Sequence, residues 1–429
     1  MAQDDARWRA AHAWRAVELL DSLLNVRAPA DQIIFRYFRQ HKEMGSRDRG
    51  LVADAVYGCL RYKRLYETLT EKVSGCTKPQ RLLASYLLLT KGFSGRALER
   101  LDAIPDAMAL AEAVRGQDVN ALAPAVRLNL PDATYAMLET AMDGAAIEKL
   151  MAAMNQPADV DLRANTLKIT RDDLQRRLGD EGLKLTPTPY APDGLRHAAR
   201  TPLFQRQEFK DGLFEIQDEG SQLISLLVDP RPRDSVVDFC AGGGGKSLHL
   251  AALMHNKGSI NSLDVHERRL EELSKRRRRA GADNIRLHAL TSETDPWLGS
   301  LHNQVHRVLV DAPCSGSGTW RRNPDLKWRD WDLDTLNRTQ TAVLASAAEL
   351  VKPGGRLVYA TCSLFRRENH DVVRFFLDNH PDFALLPADE CLKPWSLDNR
   401  GLTDDEGFLR VLPHTHGTDG FFAAVFQRA

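Results

Sequence analysis

The chain of 429 residues has few of the features that mark metal-binding, secreted or membrane proteins. Its six cysteines include no Cys-x-x-Cys pair and no Cys-His spacing of the kind that holds zinc. No basic start followed by an apolar core marks a secretory signal, and no apolar run approaches the roughly 20 residues of a membrane helix. We therefore expect a cytoplasmic protein with reduced thiols, without a bound metal and without membrane association.

An excess of charge of either sign is also lacking, because 58 basic residues balance 58 acidic ones. The basic residues are nevertheless clustered. A continuous run, Lys275–Arg279, is most simply interpreted as a solvated helix face. A second cluster, over residues 320–331, mixes cations with three tryptophans, which suits phosphate contact and base stacking. This second cluster points to RNA as a partner.

Three zones differ in their hydrophobic pattern, and at this length two or three domains are expected. Residues 1–150 carry apolar residues at helical spacing and predict an all-α domain. Residues 151–229 combine short strands with a helix capped by Thr170, which predicts a small α/β module. Residues 230–429 repeat strand, glycine turn, helix and strand, the pattern of a doubly wound, Rossmann-like sheet.

Two cysteines follow two separate apolar runs of the third zone. Cys314 lies in the run Asp-Ala-Pro-Cys-Ser-Gly at residues 311–316, and Cys362 in Thr-Cys-Ser at residues 361–363. A lone cysteine in such a run is usually a small core residue. Two thiols delivered to turns beyond buried strands, one of them after a carboxylate, instead suggest covalent chemistry on an electrophilic ring.

A glycine-rich turn connects the first strand of this zone to a helix. Its Gly-Lys-Ser at residues 245–247 resembles a phosphate loop, but Cys240 occupies the position where that motif needs its first glycine. The turn still allows a ligand to approach a helix N-terminus closely. Asp264, which ends the next strand, is suited to accept hydrogen bonds from ribose hydroxyls. By this logic S-adenosylmethionine fits as well as NAD.

Together these motifs resemble the RsmB/Sun family of RNA cytosine-C5 methyltransferases over nearly the whole chain. Residues 238–246 look like the first cofactor motif of the family, residues 311–318 with 321–325 resemble its fourth, and residues 361–363 with Glu368-Asn369 its sixth. Residues 417–422 are similar to the typical end of the family. Residues 47–49 and 56–61 are similar to the NusB-like RNA-binding domain of members that act on small-subunit rRNA.

The resemblance implies a Rossmann-like methyltransferase domain, a NusB-like all-α domain, and a monomer that uses S-adenosylmethionine. The implied substrate is a single-stranded or loop cytosine of RNA, with 16S rRNA as the expected species. The resemblance assigns Cys362 as nucleophile and Cys314 as the group that enables release. The chemistry alone leaves open which thiol attacks. The residues implied to bind the cofactor are Cys240, Ala241, Gly242, Gly243, Gly244, Gly245, Lys246, Asp264 and Asp311.

The expected reaction begins with a thiolate adding to carbon 6 of cytosine, because carbon 5 is too weak a nucleophile by itself. Asp311 is suited to hydrogen-bond N3 and the exocyclic amine of the ring. Lys246, near a helix N-terminus, is expected to keep a thiol ionised or to orient the base.

Two departures from the family pattern bear on the cofactor. The family usually has proline at the position of Gly243, so this turn is expected to be more flexible. Members commonly place an acidic residue after the third strand, whereas residues 288–293 read His-Ala-Leu-Thr-Ser-Glu, with Glu293 as the nearby substitute. These departures keep open a second hypothesis, a catalytically silent RNA-binding or ribosome-assembly factor on the same scaffold. A third hypothesis, a nucleoside triphosphatase, rests on Gly-Lys-Ser alone.

Overall fold

The computed structural model describes residues 8–26, 28–198 and 201–429. They form two compact units. The first comprises the described residues up to 156 together with residues 320–330, and the second comprises residues 157–319 and 331–429. Among the described residues, no helix combines the length and the apolar character needed to cross a membrane.

The first unit is helical, as its apolar periodicity predicts. Leucines and valines of three helices form the centre of its core, with Leu19, Val52 and Leu82 completely buried. The helices of this unit are α1 (Ala10–Asn25), α2 (Ala30–Gln40), α3 (Ser46–Arg61), α4 (Lys63–Thr70), α5 (Lys78–Leu89), α6 (Gly95–Glu99), α7 (Ala107–Arg115), α8 (Pro124–Arg127), α9 (Asp132–Glu139) and α10 (Gly144–Met154).

Residues 320–330 are distant in sequence from these helices but belong to the same unit. The ammonium of Lys327 donates to the carbonyl oxygen of Arg61 (2.7 Å) and to Oδ1 of Asn155 (2.8 Å), and the indole of Trp328 donates to the carbonyl oxygen of Leu60 (2.7 Å). The segment thus binds the carbonyls at the C-terminal end of α3, where a helix leaves its last carbonyl groups unpaired.

The expectation that this cluster contacts phosphates and bases is wrong for its central residues. Lys327 is 2% exposed and Trp320 is 1% exposed, so neither side chain is presented to a partner. Burial, and to a lesser extent Arg61, lowers the pKa of Lys327 well below its usual range. Lys327 and Trp328 instead attach the segment to the helical unit.

This arrangement predicts that the helical unit protects residues 320–330. In a protein truncated to residues 157–429, Lys327 and Trp328 lose their acceptors in the helical unit. We expect trypsin to cut at Arg321, Arg322 and Lys327 at least about tenfold faster in the truncated protein than in the full chain, measured by mass spectrometry after limited digestion. Equal protection of the segment in both proteins would show that it does not need the helices.

The second unit begins with a small antiparallel sheet in the order β2-β3-β1-β4, formed by β1 (Val160–Ala164), β2 (Thr186–Pro187), β3 (Gly194–His197) and β4 (Phe214–Ile216). Helices α11 (Arg171–Asp180) and α12 (Gln207–Lys210) accompany it. The Thr170 hydroxyl accepts the backbone N–H of Asp173 (3.2 Å), which confirms the predicted helix cap.

A large mixed sheet follows, in the order β10-β12-β9-β8-β5-β6-β7 with β11 beside β12. Its strands are β5 (Ser235–Asp238), β6 (Ser259–Asp264), β7 (Ile285–Ala289), β8 (Val305–Asp311), β9 (Val351–Thr361), β10 (Phe383–Leu386), β11 (Leu409–Val411) and β12 (Phe421–Arg428). The helices of this part of the unit are α13 (Glu219–Val228), α14 (Gly245–Leu253), α15 (Glu267–Ala280), α16 (Leu333–Leu350), α17 (His370–Asn379), α18 (Ala388–Leu392) and α19 (Pro413–His416).

Strand β5 marks the point where the chain changes direction across the sheet. Strands β6 and β7 lie on one side of it and β8 and β9 on the other, and all five are parallel. In such sheets, ligands collect beyond the carboxyl ends of the strands at this switch point. The ends of β5, β6, β8 and β9 carry Asp238, Asp264, Asp311 and Thr361, so the fold predicts its site here.

Candidate active site

Two thiols meet at the carboxyl edge of the large sheet. Cys362 directly follows β9, and Cys314 lies shortly beyond the end of β8, the neighbouring parallel strand. Their Sγ atoms are 3.4 Å apart, and both side chains are partly exposed. The structure thus brings together the two cysteines that the sequence singles out, although 48 residues separate them.

The two cysteine loops are joined beneath the thiols by one buried carboxylate. Glu368, which is completely buried, accepts the backbone N–H of Ser315 (2.8 Å), the Ser315 hydroxyl (2.6 Å) and the side-chain amide of Gln340 (2.9 Å). It also accepts the hydroxyl of Ser363, the neighbour of Cys362. Sequence reasoning placed Glu368 in a motif but gave it no role, because two of its partners, Ser315 and Gln340, come from distant segments.

Two glycines allow the backbones to approach each other behind Cys362. The N–H of Gly318 donates to the carbonyl oxygen of Cys362 (2.8 Å), and the N–H of Gly420 donates to the carbonyl oxygen of Gly318 (2.8 Å). A Cβ on Gly318 would lie 2.1 Å from the carbonyl oxygen of Gly420. Only glycine fits there, which explains why the terminal glycine motif accompanies the cysteine motifs.

The thiols differ in their electrostatic surroundings. The hydrogen bond with Cys362, together with burial, raises the pKa of Cys314 well above its usual range. Cys240, in the glycine turn, also faces this region, but burial and the carboxylates of Asp238 and Asp311 raise the pKa of its thiol well above the usual range. Cys240 is therefore held as a neutral thiol and is not suited to attack.

A lysine and an aspartate form an ion pair beside the thiols. Nζ of Lys246, in the first turn of α14, lies 2.6 Å from Oδ2 of Asp311 at the end of β8. Burial alone would lower the pKa of Lys246, but the charge and hydrogen bond of Asp311 outweigh burial and raise it. Lys246 thus stays charged and holds the Asp311 carboxylate in a fixed orientation.

The glycine turn is fastened to the next strand through Asp264, which is 5% exposed. Its Oδ2 accepts the N–H of Gly242 (2.9 Å) and its Oδ1 accepts the N–H of His266 (2.8 Å). Gly244 begins α14 with φ of +82°, and a Cβ there would lie 2.0 Å from the Leu273 side chain. Each carboxylate oxygen of Asp264 retains a lone pair for a ligand hydroxyl.

One cavity of about 800 Å³ contains both the glycine turn and the thiols. Val265 and Leu290 contribute apolar lining to it, and Asp264 contributes an acceptor. An apolar wall for a purine and a carboxylate for ribose hydroxyls are what S-adenosylmethionine needs, so the residues present fit this cofactor. The predicted cofactor residues that line the cavity are Cys240, Ala241, Gly242, Gly243, Gly244, Gly245, Lys246, Asp264 and Asp311.

The segment after β7 lacks the acidic residue that the family commonly has after its third strand, as the sequence indicates. Leu290 directly follows β7, and its N–H donates to the carbonyl oxygen of Asp264 (3.0 Å). Thr291, Ser292 and Glu293 continue along the same cavity wall. Glu293 is therefore placed near the cavity, where its contribution to binding stays a prediction.

The basic run of α15 is not simply a solvated face. Lys275 and Arg278 are exposed, but Arg276 and Arg279 both bind the buried carboxylate of Glu215, at 2.9 and 2.6 Å. The expectation is therefore wrong for these two arginines. Among the described residues, no group of three or more histidine, cysteine, aspartate or glutamate side chains is placed to hold a metal ion.

The sheet order, the glycine turn and the acceptor at the end of β6 fit an S-adenosylmethionine-dependent methyltransferase, and the comparisons with known proteins identify this class. A family model described as 16S rRNA methyltransferase RsmB/F matches residues 225–427, and a model of the ferredoxin-like domain of RsmF/B-like methyltransferases matches residues 131–203. The chain belongs to the RsmB/F family of RNA methyltransferases, whose methyl donor is S-adenosylmethionine.

Individual relatives agree with this assignment. The chain is 33% identical to "Probable ribosomal RNA small subunit methyltransferase B" of Bacillus subtilis, over 90% of this chain and 92% of that protein. It is 34% identical to ribosomal RNA small subunit methyltransferase F of Cronobacter sakazakii, over 70% of this chain and 63% of that one. A solved methyltransferase homologue from Pyrococcus horikoshii is 32% identical, with a TM-score of 0.61 over 71% of this chain and 98% of that one. The resemblance to the family and the predicted fold class are thus confirmed.

Proposed function

We propose that this protein methylates carbon 5 of a cytosine in 16S rRNA through a covalent adduct between Cys362 and carbon 6 of the base. The observation that carries the proposal is the pair of thiols 3.4 Å apart in the cavity that also contains the glycine turn. The relative from Bacillus subtilis, named a small-subunit methyltransferase B, matches nearly its whole length, whereas the methyltransferase F matches about two thirds. This difference favours the substrate of the B-type enzymes.

The contact between the two Sγ atoms, 3.4 Å apart, supports a division of labour between the thiols. Two thiols in contact do not both ionise readily, because the second negative charge would lie against the first. One of the two is therefore ionised at a time, and the resemblance to the family assigns the attacking role to Cys362. The S–H of Cys314 is then placed to donate a hydrogen bond to the Cys362 thiolate and hold it in position.

Addition of the Cys362 thiolate to carbon 6 pushes electrons toward carbon 5, which becomes nucleophilic. S-adenosylmethionine supplies the electrophilic methyl group when bound. Asp311, oriented by Lys246, accepts hydrogen bonds from the exocyclic amine and from N3 once N3 is protonated. Release requires loss of the proton on carbon 5. Once its sulfur is bonded to carbon 6, Cys362 no longer carries a negative charge, so Cys314 releases its own proton to solvent. The resulting Cys314 thiolate accepts the proton of carbon 5, and the electron pair restores the double bond and expels the Cys362 thiolate.

The target base must leave its stack to reach this cavity, which favours a single-stranded or loop cytosine. The proposal is tested by incubating the protein with 16S rRNA and S-adenosylmethionine that carries a deuterated methyl group. Mass spectrometry of the nucleosides is expected to show labelled 5-methylcytidine with the wild type and none with Cys362→Ser. Cofactor and RNA binding without labelled cytidine would instead support the silent assembly factor.

Asp264 provides a separate test of the cofactor site. Asp264→Ala is expected to weaken S-adenosylmethionine binding by about 1–3 kcal/mol, because it removes a buried acceptor for the ribose. Asp264→Asn, which retains one oxygen for the backbone N–H groups, should show an intermediate loss. Isothermal titration calorimetry measures both, with the exposed Glu271→Ala on α15 as the matched control. Equal affinity in all variants would mean that the ribose site lies elsewhere.

A further inference from the structure

The turn of four glycines, residues 242–245, is held by the Arg276 side chain in addition to Asp264. Nη1 of Arg276, on α15, donates to the carbonyl oxygen of Gly243 at 2.6 Å. Nη2 of the same guanidinium lies 2.9 Å from Oε2 of Glu215 on β4. Because Glu215 is only 2% exposed, the Arg276 side chain is anchored at its far end to a fixed, buried carboxylate.

The position of the Gly243 carbonyl within the turn gives the contact a consequence for ligand binding. The N–H of Gly244, which belongs to the same peptide group, donates to the carbonyl oxygen of Ala241 (2.9 Å) and closes the turn. The N–H of Gly242 binds the Asp264 carboxylate. Holding this peptide group therefore restricts the turn that presents the Gly242 N–H to Asp264.

Four consecutive glycines lose more backbone entropy on ordering than any other four residues. Without the Arg276 contact, the turn would lose this entropy on binding a ligand, which would weaken binding. We infer that Arg276, anchored by Glu215, is a positioning residue that preorganises the glycine turn for S-adenosylmethionine. This inference rests on the proposed placement of the cofactor on the turn. It assigns Arg276 no contact with the reacting atoms.

The space around Gly243 allows a proline to restrict the turn in place of the Arg276 hydrogen bond. The φ angle of Gly243 is negative, the sign that proline requires. A Cβ on Gly243 would lie 3.2 Å from Nη1 of Arg276, which is tight. A proline ring and the guanidinium therefore compete for the same space. If the guanidinium is removed, a proline can restrict the turn in its place.

This complementarity gives a rescue experiment in the full-length protein. Arg276→Ala is expected to weaken S-adenosylmethionine binding by a factor of about 3 to 10, measured by calorimetry. Gly243→Pro in the Arg276→Ala background is expected to restore the affinity to within about twofold of the wild type. Gly243→Pro alone should bring no gain, because the ring crowds Arg276. Steady-state kinetics should show the same order in KM for the cofactor, with KM for RNA unchanged.

Arg279→Ala is the matched control, because Arg279 binds the same Glu215 carboxylate but does not contact Gly243. Its cofactor affinity is expected to stay within about twofold of the wild type. If a thermal melt shows that Arg276→Ala is not folded, Arg276→Lys replaces it in the test. Arg276→Lys is expected to lose less cofactor affinity than Arg276→Ala. Adding Gly243→Pro to it should not restore that affinity, because the lysine side chain still occupies the space beside Gly243.

Unchanged affinity in Arg276→Ala would overturn the inference, and so would a folded double variant that binds as weakly as Arg276→Ala. Loss of affinity in Arg279→Ala equal to that in Arg276→Ala would also overturn it, since the effect would then come from Glu215 alone. Failure of the wild type to bind S-adenosylmethionine would instead overturn the proposed function, so the two failures are distinguishable.

Discussion

A Cys314→Ser variant incubated with RNA and S-adenosylmethionine is expected to accumulate a covalent protein–RNA complex. The Cys362 thiol still adds to the base in this variant, but the serine hydroxyl ionises far less readily than a thiol and does not assist release. The complex should appear as a shifted, nuclease-sensitive band on a denaturing gel. We expect more than about half of the active protein in this band, and turnover reduced by at least about a thousandfold.

Cys362→Ser and the double variant are the controls for this result. Neither should form the complex, because attack does not occur without the Cys362 thiol. The double variant distinguishes attack from release. Loss of Cys314 should have no further effect in a protein without the Cys362 thiol, because no RNA becomes attached to it. The reverse pattern, a complex with Cys362→Ser and none with Cys314→Ser, would make Cys314 the nucleophile and contradict the proposed roles.

The second large effect is expected at Glu368. Glu368→Ala leaves the Ser315 N–H, two serine hydroxyls and the Gln340 amide without their buried acceptor. Each of the four charge-assisted hydrogen bonds contributes about 1.5–3 kcal/mol, but removing the carboxylate also relieves the cost of burying its charge, so we expect a net loss of roughly 3–5 kcal/mol in the free energy of unfolding. Urea denaturation measures this loss, with Glu390→Ala, an exposed glutamate of the same unit, as the control.

Glu368→Gln separates the positioning role from stability. It keeps the side-chain volume and one acceptor oxygen but lacks the carboxylate that joins the two cysteine loops. When it is introduced into the Cys314→Ser protein, we expect the yield of covalent RNA complex to fall at least about tenfold in a folded protein. A full yield of complex from folded Glu368→Gln protein would show that Glu368 stabilises the fold without placing the thiols.

Much of the site follows from local sequence. The buried runs before Cys314 and Cys362 predict two strands, and their turns predict where the thiols lie, because parallel strands share a carboxyl edge. The same pattern of a buried strand followed by a turn predicts the glycine turn after β5 and Asp264 at the end of β6. These functional residues can be predicted from the sequence because their positions are set by the strands and turns of their own segments.

What sequence reasoning missed depends on contacts between distant segments. Glu368 acquires its role only when the loops after β8 and β9 meet it. Lys327 carries a charge that favours an exposed position, but carbonyl and amide acceptors of the helical unit satisfy it in the interior. Arg276 belongs to a basic run that is typical of a solvated helix face, yet its side chain binds the buried carboxylate of Glu215. Composition and spacing contain no signal for such partners.

Bisulfite sequencing of 16S rRNA tests the central claim most directly, because 5-methylcytosine resists the conversion that unmodified cytosine undergoes. RNA would be compared from cells with the gene, cells without it, and deletion cells that express either the wild type or Cys362→Ser. The account predicts one or more cytosines that resist conversion with the gene, are converted without it, and regain resistance with the wild type alone. Identical conversion in the presence and absence of the gene would contradict it.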